Sequence, residues 1–256
     1  MTGVSVVHRL WTCLCRPLHW RLATANAATT PAAAWVHNDA VTTAGIPFDA
    51  VDFYAELALN NNREWWAANA ERYRTSVKAP LTRLLDDLAP RFGDAHLFRP
   101  HRDVRFSADK RPYKSEQGGL CLAAPGMGHY LRINADGLSV GGGYYPSGRD
   151  QLARQRAAID SAGSGTELAQ IVQALTADGF EVGGDQVATR PRGVPADHPR
   201  LDLMRRQSLV VLKTFGEPAW LPTSDVVERV AEQWARITPL VEWLVTNVGP
   251  SLEPRR

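Results

Sequence analysis

Leu120-Cys121-Leu122-Ala123-Ala124-Pro125-Gly126-Met127-Gly128-His129-Tyr130-Leu131-Arg132-Ile133-Asn134-Ala135-Asp136-Gly137-Leu138-Ser139-Val140-Gly141-Gly142-Gly143-Tyr144-Tyr145 is the stretch that decides the fold class. It holds three short runs, 120–123, 129–133 and 138–145, rich in β-branched, aromatic and other apolar residues. Pro125-Gly126 and Asp136-Gly137 lie between them and are turn dipeptides. Connections this short force neighbouring strands to run antiparallel. Upstream, Val104 and Phe106 alternate with polar neighbours, as in a half-buried strand. The expectation is an antiparallel β-meander of about four or more strands.

Helical periodicity frames this block. Phe48, Val51, Phe53, Tyr54 and Leu57 fall at roughly helical spacing, with Asp49 as a candidate N-cap. Asn60-Asn61-Asn62 breaks the pattern, because asparagine favours turns. A second helix is expected over 63–77, and Pro80 fits the first turn of a third that carries Leu81, Leu84, Leu85 and Leu88. After the strands, 147–159 reads as a helix with Ser147 and Asp150 as a capping box, and 166–177 as another. Residues 180–195 are rich in turn signals with short strands. Asp197 is placed to cap a short helix through 205, and 209–214 reads as a strand. Two helices, 224–237 and 239–248, close the chain. Strands in one block with helices before and after give an α+β fold, a sheet packed by N-terminal and C-terminal helices.

The 256 residues, 44% hydrophobic and 22% charged, suit one globular body over 46–256. Residues 1–45 differ from it. Arg9, Arg16 and Arg21 face Asp39 alone, and the stretch ends rich in Ala and Thr. A leader segment or a mis-assigned start is the expectation there. Three cysteines, Cys13, Cys15 and Cys121, are too few for a disulfide framework, so a reducing, cytoplasmic setting is expected. No apolar run reaches the length of a membrane span.

Net charge is only +2, yet residues 99–114 carry Arg99, Arg102, Arg105, Lys110, Arg111 and Lys114 against Asp103 and Asp109. A nucleic-acid binder would carry a broad basic surface. A local excess suits a small anion better, which makes nucleic acid an unlikely partner.

Several stretches carry a family resemblance. They are Asn61-Asn62-Arg63-Glu64-Trp65-Trp66, then Arg102-Asp103-Val104-Arg105-Phe106-Ser107-Ala108-Asp109-Lys110-Arg111-Pro112-Tyr113-Lys114, the glycine-rich 141–145, Pro191-Arg192-Gly193 with Asp197-His198-Pro199, and 239–244. Together they resemble a bacterial family of unknown function, domain of unknown function 2461, over about residues 46–249. The resemblance implies no activity, so the chemistry has to come from the residues themselves.

The candidate ligand-binding residues are Asn61, Asn62, Arg102, Asp103, Arg105, Ser107, Asp109, Lys110, Tyr113 and Lys114. Arginine offers a planar fork for phosphate or carboxylate, and lysine a mobile point charge. Asn61 and Asn62 would add neutral donors near a helix N-terminus, which favours anions. The competing expectation is structural: Arg105 braces the loop through Asp103, while Lys110 and Arg111 are solvated. Catalytic residues are not identified. No nucleophile elbow, zinc motif or cofactor motif is present. Cys13 and Cys15 between His8 and His19 lack zinc-knuckle spacing, and no metal is expected. His198 beside Asp197 reads as a packed histidine before an acid–base pair. Cys121 reads as a buried apolar residue, and Gly141-Gly142-Gly143 as close backbone packing before a phosphate loop. The best expectation is a small phosphate- or carboxylate-bearing ligand at 102–114. The alternative is a non-catalytic module that docks an acidic protein.

Overall fold

In the computed structural model, which describes residues 45–105 and 108–253, the quoted stretch is the centre of a six-stranded sheet. The strands are β1 (Asp94–Leu97), β2 (Glu116–Ala124), β3 (Met127–Asn134), β4 (Gly137–Tyr144), β5 (Glu181–Gly183) and β6 (Leu209–Gly216). Their order is β1-β2-β3-β4-β6-β5, and every neighbouring pair is antiparallel. Gly126 and Gly137 take positive φ, 77° and 93°, at the two tight connections, as Pro-Gly and Asp-Gly turns require.

The helices are α1 (Asp49–Leu59), α2 (Arg63–Arg72), α3 (Ala79–Phe92), α4 (Arg149–Asp160), α5 (Ala162–Ala177), the short α6 (Leu201–Met204) and α7 (Val226–Asn247). Register decides which strand residues meet them. Cys121 pairs with His129, His129 with Gly142 and Gly142 with Val211. That row faces the helices: the Cys121 thiol reaches the Leu85 carbonyl of α3, and Gly142 lies under Ile237 of α7. Trp234 of α7 donates its indole N–H to the Tyr130 carbonyl at 3.1 Å. Leu120, Tyr130 and Leu212 stand in the adjacent row and point to the opposite face. A smaller apolar cluster sits there, made of Phe98, Leu120, Tyr130, Tyr145 and Val210.

The structure departs from the sequence expectations at several places, each with a local cause. Residues 102–105 are not a strand. The outer strand of the meander is β1, and the chain between Leu97 and Glu116 leaves the sheet. Pro100 and Pro112 lack the N–H that would carry a ladder through this segment. Val104 is half-buried, and Phe106 lies outside the described residues. Phe48, not Asp49, occupies the N-cap of α1, and Asp49 in the first turn binds Arg72 instead. The second and third helices are joined by one π-helical turn, Tyr73–Lys78, so Pro80 enters a continuous rod. The wider turn relieves the clash that proline makes with the preceding carbonyls. Gly148 precedes α4, and Gln151, not Asp150, reaches back to the Ser147 N–H. Asp197 caps nothing; Arg200 holds the N-cap position of α6. The two expected C-terminal helices are one, α7, with Pro239 inside it and the Thr238 hydroxyl donating to the Trp234 carbonyl. No helix among the described residues is long and apolar enough to cross a membrane. The expected leader segment lies outside the described residues.

Candidate functional site

The segment that leaves the sheet is a closed loop with a tied base. Arg102 N–H donates to the Pro112 carbonyl at 2.9 Å, and Lys114 N–H to the Pro100 carbonyl at 2.8 Å. Between them His101 and Tyr113 form a single antiparallel bridge. Asn61 holds this base from the side. Its amide donates to the Tyr113 carbonyl at 3.0 Å and accepts the Tyr113 N–H at 3.1 Å. Asn62 is used differently: its side-chain oxygen accepts the Trp65 N–H at 2.9 Å and caps α2. The cap starts a helix that presents Trp66, whose ring stacks on Tyr113 at 4.0 Å between centroids and 8° between planes.

Charge within the loop is shared among few acids. Arg102 and Arg111 converge on Asp109, and Arg111 grips it with both Nε and Nη2. Arg105 forks onto Asp103 at 3.0 and 2.6 Å. Lys110 donates to the Val104 carbonyl at 3.1 Å. These contacts hold Asp103 down to about 2, chiefly through Arg105. Asp109 is held well below the usual carboxylate range, by Arg111 first and Arg102 second. The guanidinium groups differ in access. Arg105 is 66% exposed and Arg111 54%, whereas Arg102 is 23% exposed. Ion pairs as open as the first two are screened by water and stabilise the loop little.

Lys114 begins a second polar group where the loop rejoins the sheet. Its ammonium lies 5.3 Å from the centre of the Phe98 ring. Two residues on, Glu116 is 2% exposed. It accepts the Tyr130 hydroxyl at 3.0 Å and Arg132 Nη1 at 2.8 Å. Burial pushes the Glu116 carboxyl up, against the pull of Arg132, Tyr130 and Lys114. Gln117 points the other way. It accepts the Tyr73 hydroxyl at 2.7 Å and donates to the Phe98 carbonyl at 2.6 Å, fixing the end of β1.

The ten sequence-derived residues therefore fall into separate groups. Asn61 and Tyr113 form the tie, and Arg102 and Asp109 form one charge group with Arg111. Asp103 and Arg105 form another. Lys110 stands on a carbonyl, Lys114 faces the sheet, and Asn62 is a helix cap. Ser107 lies outside the described residues. Glu116, Gln117 and Arg132 were not anticipated. Arg132 carried a signal, a charge inside the apolar run 129–133, where an unpaired polar group is costly; Glu116 and Gln117 precede Gly118-Gly119 outside any apolar run and carried none.

Other residues singled out in the sequence lie elsewhere in the fold. His198 faces Asp160 at 3.2 Å, not Asp197, and its Nδ1 accepts the Arg200 N–H at 3.1 Å. Arg200 in turn binds the carbonyls of Ile159, Asp160 and Ser161. A cleft of about 520 Å³ runs beside this knot between α5 and residues 196–203. Cys121 is buried, and burial pushes its thiol up to about 12. No cluster of three or more His, Cys, Asp or Glu able to hold a metal occurs among the described residues. His8, Cys13, Cys15 and His19 lie outside them.

No curated protein matches this chain. A family model does, over residues 49–243, from α1 into α7 and across the whole sheet. By that match the chain belongs to the family of conserved hypothetical proteins defined by domain of unknown function 2461.

Proposed function

We propose that the protein binds a small anionic ligand, bearing phosphate or carboxylate, at residues 102–114 and their anchor at Asn61. The observation that carries this reading is the tied loop itself. Five cations, Arg102, Arg105, Lys110, Arg111 and Lys114, are held against two acids on one segment tied at its base by Asn61 and the Trp66–Tyr113 stack. Holding like charges together is unfavourable unless a negative group offsets them. A base tied in advance also lowers the entropy lost on binding. Arg102 and Arg111 already share one carboxylate, so each retains donors for a second anion. Nothing in this arrangement requires catalysis. A cytoplasmic setting accords with the buried free thiol of Cys121.

Thermal unfolding in a panel of phosphates and carboxylates, at fixed ionic strength, tests the reading. A rise in Tm with phosphate, reduced in the exposed-site double variant Arg105→Ala/Lys110→Ala, is expected. No shift with any member of the panel would overturn it.

A second reading has one observation in its favour. Arg105 and Arg111 present their outer edges to solvent while gripping their acids. That geometry suits docking to an acidic protein surface. Capture of one partner that weakens with salt and with Lys110→Glu would favour it over a small ligand.

A further inference from the structure

The cleft between α5 and residues 196–203 has a wall that is fixed from behind. Val172 of α5 lines one side, and Leu201 and Leu203 of α6 line the other, all three half-buried. Facing apolar walls close on each other unless something holds them apart, because closure removes their surface from water. Here the holding group is the polar knot at His198 and Arg200. The His198 side chain is only 7% exposed, and it meets Asp160 through Nε2 and the Arg200 N–H through Nδ1. Arg200 is anchored in turn on the carbonyls of Ile159, Asp160 and Ser161. Residues 198–200 are thereby tied to the junction of α4 and α5, which keeps their wall from settling further along α5.

Charge along the cleft is one-sided. The knot commits the basic side chains: both ring nitrogens of His198 are engaged, and the Arg200 guanidinium lies on carbonyls at the C-terminal end of α4, where a helix concentrates negative partial charge. The acids are left over. Asp197 and Asp202 line the cleft and are exposed. Among the described residues neither carboxylate makes a hydrogen bond or a salt bridge. Asp202 attracts Arg206 through space, but the Arg206 head already donates to the Gly183 carbonyl at 2.7 Å. A space of about 520 Å³ falls within the usual range of small-molecule clefts, about 300–1,000 Å³.

We propose that this cleft takes a small organic cation, an amine or guanidine carried on an apolar body. The body lies on Val172, Leu201 and Leu203, and the charge meets Asp197 and Asp202. The site is built from other elements than the basic loop and is of opposite charge, so it stands whether or not the loop binds an anion.

Amide NMR of the ¹⁵N-labelled full chain tests this directly. 2-Phenylethylamine, a cation at neutral pH, is titrated at fixed ionic strength beside two analogues of similar shape, neutral 2-phenylethanol and anionic phenylacetate. Saturable shifts of the Val172, Leu201 and Leu203 signals with the amine are the expected result. The alcohol should bind roughly tenfold more weakly, since it lacks the two charge contacts, and phenylacetate should leave these signals unmoved. Asp197→Asn/Asp202→Asn removes both charges at exposed positions. It should bring the amine down to the affinity of the alcohol while the rest of the spectrum stays as in the parent. No shift of the cleft signals with the amine, equal affinity for amine and alcohol in the parent, or a preference for the amine that survives the double variant would each overturn the proposal. The first two are read in the unaltered protein, so the test holds even where the double variant folds poorly.

Discussion

At Asn61 a primary amide makes the same two hydrogen bonds to Tyr113 that a residue of a neighbouring strand would make. An amide side chain and a peptide group offer the same donor and acceptor. Asn61→Ala therefore leaves the part-buried N–H and C=O of Tyr113 without their partner. It should lower stability by about 1–3 kcal/mol in urea unfolding. An unchanged midpoint would mean that the Trp66 stack alone holds the loop. Tyr73→Phe makes a parallel case in the interior, since it removes the donor to Gln117 and strands a buried amide oxygen. A loss of similar size, about 1–3 kcal/mol, is expected by the same measurement. Composition and motif singled out Asn61 but not its use. Asparagine can serve a ligand or a backbone equally well, and only the fold brings Tyr113, 52 positions away, within reach of it.

The elements were legible wherever their cause is local. Two turn dipeptides and the alternation around them fixed three strands of the sheet, and the spacing of Leu81, Leu84, Leu85 and Leu88 fixed α3. Elements whose cause is distant were misread. Val104 and Phe106 alternate as a strand would, but the prolines at 100 and 112 deny the segment a ladder, and β1 takes its place. Pro239 suggested a break, yet α7 continues because Leu240, Trp243 and Leu244 bury the far side of it. The glycines of β4 show what packing demands of an element. A Cβ at Gly142 would stand 2.7 Å from Ile237 Cγ2 and 3.0 Å from the Gly128 carbonyl oxygen. Gly142→Ala should cost about 1–3 kcal/mol, because strand and helix cannot separate independently. Gly163 in α5 has nothing within 4 Å of the same position. Gly163→Ala should be neutral or stabilising by up to about 1 kcal/mol, since alanine loses less backbone entropy in a helix. Calorimetry on the pair separates the two causes: equal effects would show that helix–sheet spacing is not what excludes a side chain at Gly142.

Over the whole molecule, two buried groups on opposite faces of the sheet pull the pH dependence of stability in opposite directions. His129 is 3% exposed and lies between Phe92 at 4.9 Å and Trp234 at 5.4 Å. Nε2 meets the Thr238 hydroxyl at 3.1 Å, while Nδ1 is buried without a partner. Burial lowers its pKa to about 4, against about 6.5 in an unfolded chain. Between those values the unfolded chain binds more protons than the folded one. Stability therefore falls as pH drops from about 6.5, by an amount on the order of 3 kcal/mol, and the loss is complete below about 4. His96 is shifted the same way, by burial and by Lys114, and adds to the slope. Glu116 acts oppositely. Burial raises its pKa, so the folded state keeps a proton that the unfolded state has released, and acid restores stability above the ordinary glutamate value. Asp103, held down to about 2 by Arg105, contributes only below about pH 4 and leaves this window untouched. His129→Gln keeps a donor for Thr238 and removes the titration, so its urea midpoint should vary less between pH 6.5 and 4 than that of the parent. Glu116→Gln removes the opposing group and should steepen the same limb. A His129→Gln profile parallel to the parent across that window would assign the acid sensitivity to His96 and leave the core histidine without a part in it.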